Sequence, residues 1–322
     1  MDGIISLEAK HVAQPLQHIL ALRTIRAHKG IWLSASNPES MRRADSNGID
    51  LLLIIIRHLI SYGYDKSFLS TAAASAVLDA AGKDLGWDEE VDWRIKGHLL
   101  GILQTPSNSP SLDKLMVSVE LQSLFFTHPQ FHIIQSSVFS SNNEGKTWTK
   151  SELGRHDCGM ANRFIIDDNS SIPQQIYQRF SWTSSKGNSK TWYRGICTKP
   201  PFLILCLRVT KSNFDQRTLE TLELELPAGQ MQPGKQTWAF GMHQLRFRLC
   251  AIVLTKARGN GNGPQNEQVR LYGDSGEVIL SELESRGEAI PWVVGCGLYT
   301  LFYRRICTYD GWPTAKDIED AA

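Results

Sequence analysis

The last third of the chain opens with the stretch T-K-P-P-F-L-I-L-C-L-R-V at residues 198–209. Four further runs follow it: L-E-L-E-L-P at 222–227, F-R-L-C-A-I-V-L at 247–254, E-Q-V-R-L-Y-G-D-S-G-E-V-I at 267–279 and L-Y-T-L-F-Y-R-R at 298–305. Each run is apolar or alternates between apolar and polar residues, and Pro, Gly or polar clusters bound it. This pattern predicts an antiparallel sheet.

The first part of the chain, to about residue 128, is predicted to be helical. Five helices are expected, over residues 7–28, 49–61, 65–82, 88–103 and 112–126. The run at 49–61 is apolar on all sides, which predicts a buried, central helix. Residues 131–197 alternate short strand-like runs with polar turns and contain one predicted helix at 171–180, with Pro173 in its first turn.

Composition excludes several classes of function. The 322 residues include 34 Lys and Arg against 33 Asp and Glu, so no overall field attracts nucleic acid or an anionic membrane. Six scattered cysteines favour a reduced, intracellular protein of the cytoplasm or nucleus. The N-terminus has acidic residues where a signal peptide needs a basic start, and the apolar run at 49–60 is too short to span a bilayer.

The order of these runs resembles the palm of the ubiquitin-specific protease family: a Pro-Pro-led strand that ends in Arg, a strand closed by Pro, and a closing Leu-Phe-Tyr-Arg strand. The resemblance implies an α+β, papain-like fold with a helical thumb, fingers and an antiparallel palm. It places an N-terminal helical extension at 1–30 and the protease-like domain at 31–309, followed by an acidic tail at 310–322. Within the domain it implies a thumb at 31–130, fingers at 131–197 and a palm at 198–309.

The residues that carry catalysis in that family are replaced in this chain. The family opens its central helix with a Gly-Asn-Thr-Cys box, and the corresponding segment here is A-D-S-N-G-I-D-L-L-L at 44–53. The resemblance places Asn47 at the nucleophile and Asp45 at the oxyanion position. An asparagine amide cannot replace a thiolate, and the first cysteine in the chain is Cys158.

The catalytic histidine is also missing. At the family's Gly-His-aromatic position the segment Q-N-E-Q-V-R-L-Y at 265–272 offers Asn266 or Glu267, and the last histidine in the chain is His243. Asp274 corresponds to the third member of the triad, although a plain turn residue in D-S-G explains it better. With two members lost, hydrolase activity is not expected.

The remaining cysteines and histidines give no metal or cofactor site. The family's fingers often bind zinc through two Cys-x-x-Cys pairs, of which only Cys158 and Cys197 remain, so no zinc is expected. His58 and His98 lie in apolar helices and are expected to be core or boundary residues. The other cysteines in apolar strand segments are expected to be small core residues: Cys206, Cys250 and Cys296.

The sequence therefore predicts a catalytically inactive domain that binds proteins or serves as a scaffold, with no cofactor and no nucleic-acid or membrane partner. The resemblance implies ubiquitin or a ubiquitin-like protein as the partner. Two alternatives stay open. One is an active cysteine hydrolase whose nucleophile has moved to Cys158 or Cys197, and the other is a pure interaction protein that no longer binds ubiquitin.

Overall fold

The central apolar run forms helix α1, Asn47–Ser61. Eight of its apolar side chains are at most 2% exposed, namely those of Ile49, Leu51, Leu52, Leu53, Ile54, Ile55, Ile56 and Leu59. A helix that is apolar on all sides is stable only where other elements surround it. The predicted central, buried helix is confirmed.

The computed structural model describes a mixed α+β protein. The described residues are 47–62, 72–82, 89–103, 112–116, 121, 131–133, 135–142, 148–150, 165–180, 183–185, 192–211, 214–231, 238–257, 268–273, 276, 278–279 and 295–310. They divide into two units. We call residues 1–128, 250–293 and 297–299 the helical unit, and residues 129–249, 294–296 and 300–322 the sheet unit.

The helical unit contains α1 and three further helices: α2 at Ala72–Gly82, α3 at Glu89–Ile102 and α4 at Leu112–Met116. Helix α1 packs against α2 and α4. The predicted helix at 7–28 and the predicted start of the helix at 65–82 lie outside the described residues. None of the described helices is long and apolar enough to cross a bilayer.

The sheet unit begins with five short strands and one helix. The strands are β1 at Gln135–Ser141, β2 at Thr149–Lys150, β3 at Ile165–Asp167, β4 at Thr183–Ser185 and β5 at Trp192–Cys197. Strands β1, β2, β4 and β5 form an antiparallel sheet in the order β2-β1-β5-β4. The predicted helix at 171–180 is confirmed as α5, Ile172–Phe180, with Pro173 at its second position.

The predicted strands of the last third are also confirmed. They are β6 at Phe202–Val209, β7 at Thr221–Met231, β8 at Trp238–Ala257, β9 at Gln268–Tyr272, β10 at Val278–Ile279 and β11 at Gly297–Asp310. The larger sheet has the strand order β10-β9-β8-β11-β6-β3, with β7 paired to β8. Strands β7, β9 and β10 pair antiparallel with their neighbours, whereas β3 adds to β6 in parallel.

Some predicted strand limits are wrong. Strand β8 begins at Trp238 and not at residue 247. The run at 222–227 is predicted to end at Pro227, but β7 continues to Met231 and Pro227 lies opposite Met242. Proline lacks an N–H and is tolerated in a strand where that donor is not needed. Among the described strands β7 pairs only with β8, so a position without a donor is compatible with it. The predicted limits of thumb, fingers and palm stay a prediction.

Candidate functional site

The resemblance assigns the nucleophile position to Asn47, the first residue of α1, and this assignment stays a prediction. The helix begins at Asn47, so this residue lies at a helix N-terminus, where backbone N–H groups have no partner within the helix. The other predicted triad and oxyanion positions lie outside the described residues: Asp45, Asn266 with its neighbour Glu267, and Asp274. Cys158, one of the two vestigial zinc ligands, lies outside them as well.

The described cysteines occupy strands or the segment before a strand, not the start of a helix. Cys197, Cys206 and Cys250 are buried free thiols in β5, β6 and β8, which confirms Cys206 and Cys250 as core residues. The thiol of Cys197 is 3.9 Å from the carbonyl oxygen of Phe180. Cys296 was also expected in the core, but it is only partly buried and donates to the Thr210 carbonyl at 3.2 Å.

The described side chains that could bind a metal ion are not clustered. Across the residues that the structure describes, no three His, Cys, Asp or Glu side chains converge on one point. Cys197, the vestigial zinc position that can be located, points its thiol at a backbone carbonyl.

His58 holds two strands to the central helix. Its side chain is 1% exposed, and its Nε2 lies 2.9 Å from the Cys250 carbonyl and 3.0 Å from the Tyr272 carbonyl. Two carbonyl neighbours require that Nε2 carries the proton and donates. The Tyr62 hydroxyl donates to the Tyr272 carbonyl as well, at 2.9 Å. His58 is thus confirmed as a core histidine, whereas His98 is exposed on α3.

Asp168, directly after β3, organises the end of β6. It accepts hydrogen bonds from the backbone N–H of Thr210 and of Lys211, both at 2.9 Å, and from the Thr210 hydroxyl at 2.7 Å. Burial alone raises the pKa of this carboxyl, but the hydrogen bonds from Thr210 and Lys211 and the Lys211 charge outweigh burial, so the net pKa is lowered. Since these contacts are all internal, Asp168 serves the fold.

Helix α5 protects the edge strand β3 through one side chain. The Gln175 amide accepts from the backbone N–H of Asp167 at 3.1 Å and donates to the Asp167 carbonyl at 2.7 Å. Asp168 donates its N–H to the Arg208 carbonyl of β6, so by strand alternation the polar groups of Asp167 point away from β6. Gln175 therefore occupies the groups that another strand would bind.

Aromatic side chains gather where the four-stranded sheet meets the first half of β8. The ring of Phe139 lies 4.6 Å from that of Trp238 and 5.2 Å from that of Phe240, and Trp148 lies 5.4 Å from Phe240. The Arg194 guanidinium is 5.0 Å from the centre of the Phe240 ring. We call Trp148, Arg194, Trp238 and Phe240 the aromatic–arginine patch. Its four members are all partly exposed.

A close approach of strands supports this patch. Gly229 of β7 lies opposite Phe240, and a Cβ atom at Gly229 would collide with the Cδ1 of Ile196 in β5. Ile196 and Arg194 are two residues apart and therefore share one face of β5. A glycine in β7 thus lets β5 come close enough for Arg194 to reach the Phe240 ring.

A groove of about 660 Å³ lies between α5 and strands β7 and β8. Tyr177, which is 45% exposed, lines one side of it. The other side carries Glu223, which forms an ion pair with Arg246 at 3.3 Å, and Glu225, whose carboxylate is 3.5 Å from the Gln244 amide. A second cavity, of about 640 Å³, lies between α2 and α3.

Trp238 is partly structural, since its ring packs on that of Phe139. No motif in the sequence marks Arg194, Phe240 or Tyr177. Only the period-two alternation of 192–197 hinted that Arg194 shares a face with an apolar residue.

No family model matches the sequence, and no curated protein matches it either. Solved structures give matches at low similarity. One is the Ubp8-Sgf11-Sgf73-Sus1 SAGA DUB module, with 10% identity and a TM-score of 0.35 over 82% of this chain and 64% of that chain.

Two other matches are Pan2 structures. The apo pseudoubiquitin hydrolase–RNA exonuclease module of Saccharomyces cerevisiae Pan2, in complex with A7 RNA, has 11% identity and a TM-score of 0.22 over 89% of this chain and 51% of that chain. The Neurospora crassa Pan2 catalytic unit, with protease and nuclease domains, has 11% identity and a TM-score of 0.20 over 90% and 54%. The chain spans less than two thirds of each of these three structures, and TM-scores below 0.5 do not establish a shared fold.

Proposed function

We propose that the chain is a catalytically inactive ubiquitin-specific-protease-like domain that acts by binding other proteins. The observation that carries the proposal is the start of α1. A cysteine peptidase of this type needs a thiol at the N-terminus of a buried helix, where the helix dipole favours the thiolate. Helix α1 is buried and begins at Asn47, whose amide provides no nucleophile.

The environment of Cys197 argues against the alternative of a relocated nucleophile. The residue is 4% exposed, and its thiol faces the Phe180 carbonyl. An attacking thiolate needs access to substrate and a nearby base. Cys197 lies in a strand and not at the N-terminus of a helix, and its burial keeps a substrate away from the thiol.

A protease-like domain without a nucleophile can still act by binding other proteins. Ubiquitin or a ubiquitin-like protein is the first partner to test, because the resembled family acts on ubiquitin. A scaffold role in a protein complex is a second form of the same proposal. Aromatic side chains that are partly exposed, such as Trp148 and Trp238, are residue types that recur at protein interfaces.

The catalytic half of the proposal is tested with a fluorogenic ubiquitin substrate. The wild type, Asn47→Cys and the matched control Asn47→Ser are expected to show no efficient turnover. A thiol with an ordinary pKa of about 8.5 is mostly protonated at neutral pH unless an imidazole assists it. Turnover by the wild type would overturn the proposal, and its loss in Cys158→Ser or Cys197→Ser would establish the relocated nucleophile.

The double variant Asn47→Cys with Asn266→His tests the family architecture, since it restores both missing groups. Turnover by this variant alone would support the placement of both residues. Asp45 and Glu267 are expected to lower the turnover of this variant, because a nearby carboxylate raises the pKa of a thiol and so reduces the fraction of thiolate.

The binding half is tested by calorimetric titration of the wild type with ubiquitin. Saturable binding supports the proposed role. A chain that neither turns over substrate nor binds ubiquitin would be the pure interaction protein.

A further inference from the structure

Arg194 is a partly buried cation whose charge no described residue balances. Burial lowers the pKa of its guanidinium below the ordinary value, while the nearby Tyr177 acts in the opposite direction. Across the residues that the structure describes, no carboxylate forms an ion pair with Arg194 and no acceptor binds its guanidinium. Its one defined contact is the face of the Phe240 ring.

A charge in this position carries a cost. Removing a cation from water is unfavourable unless an anion or hydrogen-bond acceptors compensate it. The ring of Phe240 compensates only in part, since a cation–π contact outside a fully desolvated site is weak. A carboxylate supplied by another molecule would bind the guanidinium with two hydrogen bonds in its planar geometry.

The surroundings of Arg194 offer apolar contacts to the same molecule. The Phe240 ring lies against Arg194, and the Trp148 ring packs edge-on against Phe240. Met231, 59% exposed, lies directly opposite Trp238 at the end of β7. Arginine, methionine and aromatic residues are enriched in the centres of protein interfaces.

The acidic residues of the neighbouring groove do not fill this role. Glu223 is 3.3 Å from Arg246, and Glu225 is 3.5 Å from Gln244. Both carboxylates therefore have closer polar neighbours than Arg194.

We propose that the aromatic–arginine patch, with Tyr177 beside it, docks a partner-protein segment that presents a carboxylate next to an aliphatic side chain. The carboxylate binds the Arg194 guanidinium, and the aliphatic side chain packs on the rings of Trp148 and Phe240. This inference rests on the proposed binding role and specifies its chemistry.

The test uses two blocked pentapeptides, Gly-Leu-Glu-Leu-Gly and Gly-Leu-Gln-Leu-Gly, which differ only in charge. Each is titrated into ¹⁵N-labelled protein, and the indole N–H signals of Trp148 and Trp238 are followed, assigned through their Phe variants. The Glu peptide is expected to shift these signals and to bind about tenfold more tightly than the Gln peptide, as a charge-assisted hydrogen bond predicts.

Variants locate the interaction. Arg194→Gln is expected to lose the preference for the Glu peptide, and Arg194→Lys to keep part of it, because lysine retains the charge but not the planar fork. Arg217→Gln, which removes an exposed arginine of the 3₁₀ helix at Gln216–Leu219, is the matched control and should bind like the wild type.

Equal binding of the two peptides to the wild type, or no binding of the Glu peptide, would overturn the inference even if Arg194→Gln failed to fold. Equal loss in Arg194→Gln and Arg217→Gln would overturn it too. Turnover of a ubiquitin substrate by the wild type would overturn the proposed inactivity and leave the peptide result standing.

Discussion

His58 in the helical unit and Arg194 in the sheet unit are both nitrogen-bearing side chains in largely apolar surroundings, but they are satisfied differently. The His58 Nε2 lies within 3.0 Å of two backbone carbonyls, those of Cys250 and Tyr272. Arg194 has an aromatic ring as its defined neighbour. A buried polar group whose partners are internal holds a fold together, whereas a partly buried charge without one is suited to bind something else.

The largest effect on stability is expected at His58. His58→Ala should lower the free energy of unfolding by about 3 kcal/mol, because it removes a hydrogen-bond donor shared by two buried carbonyls and leaves a cavity beside α1. Urea unfolding measures this value. His98→Ala on α3 is the control, since His98 is exposed and its loss should change the free energy by no more than about 0.5 kcal/mol. Equal effects of both variants would show that His58 does not anchor the strands.

The second prediction concerns the close approach that supports Arg194. Gly229→Ala should cost about 1–2 kcal/mol, because the new methyl group meets the end of the Ile196 side chain and forces it to move. Gly97→Ala is the matched control in α3, where a methyl group meets no atom within 4 Å and should stabilise the helix slightly. The contact is refuted if Gly229→Ala is as stable as the wild type.

Asp168 lies in the sheet unit, as Arg194 does, but its charge is compensated by hydrogen bonds from Thr210 and Lys211. Its folded-state pKa is lowered, so its stabilising contribution is fully present above the unfolded pKa of about 3.9 and is lost as the pH falls through the folded pKa. Asp168→Asn should cost about 1 kcal/mol at neutral pH, because it weakens the hydrogen bonds that the carboxylate accepts from Thr210 and Lys211.

The difference between wild type and Asp168→Asn should be constant between about pH 5 and pH 7 and shrink below about pH 4. Urea unfolding at a series of pH values gives this profile. Asp79→Asn, at an exposed position of α2, provides the control. A difference that grew with acidity would contradict the assigned sign.

The smallest effect is expected at Arg194 itself. Arg194→Gln should change the free energy of unfolding by no more than about 0.5 kcal/mol, because the lost ring contact and the relieved desolvation of the charge oppose each other. Thermal unfolding of this variant beside Arg217→Gln measures the difference. A loss of several kcal/mol would mean that Arg194 has an internal structural role, and the contrast with His58 would fail.

The sequence predicts elements whose signal is local. The apolar run of α1 and the alternation of β7 are visible in a short window, and both elements are found. The end of β7 is predicted wrongly, because whether Pro227 ends a strand depends on which of its sides is paired. The local signal places this helix at 49–61, whereas α1 begins at Asn47.

The aromatic–arginine patch is not predictable in this way. Arg194 and Phe240 are distant in sequence and meet only because β5 packs near β7 and β8, which Gly229 permits. Neither residue belongs to a motif, and each alone would be interpreted as an ordinary strand residue. Sites that depend on the packing of distant strands need the structure.

The proposed absence of catalysis is tested by the intact mass of the wild-type protein after incubation with a ubiquitin probe that carries a C-terminal electrophile. An unmodified mass is expected, since α1 begins at Asn47 and the described thiol of Cys197 is buried. A mass increased by one ubiquitin per chain would reveal an active thiol and contradict it.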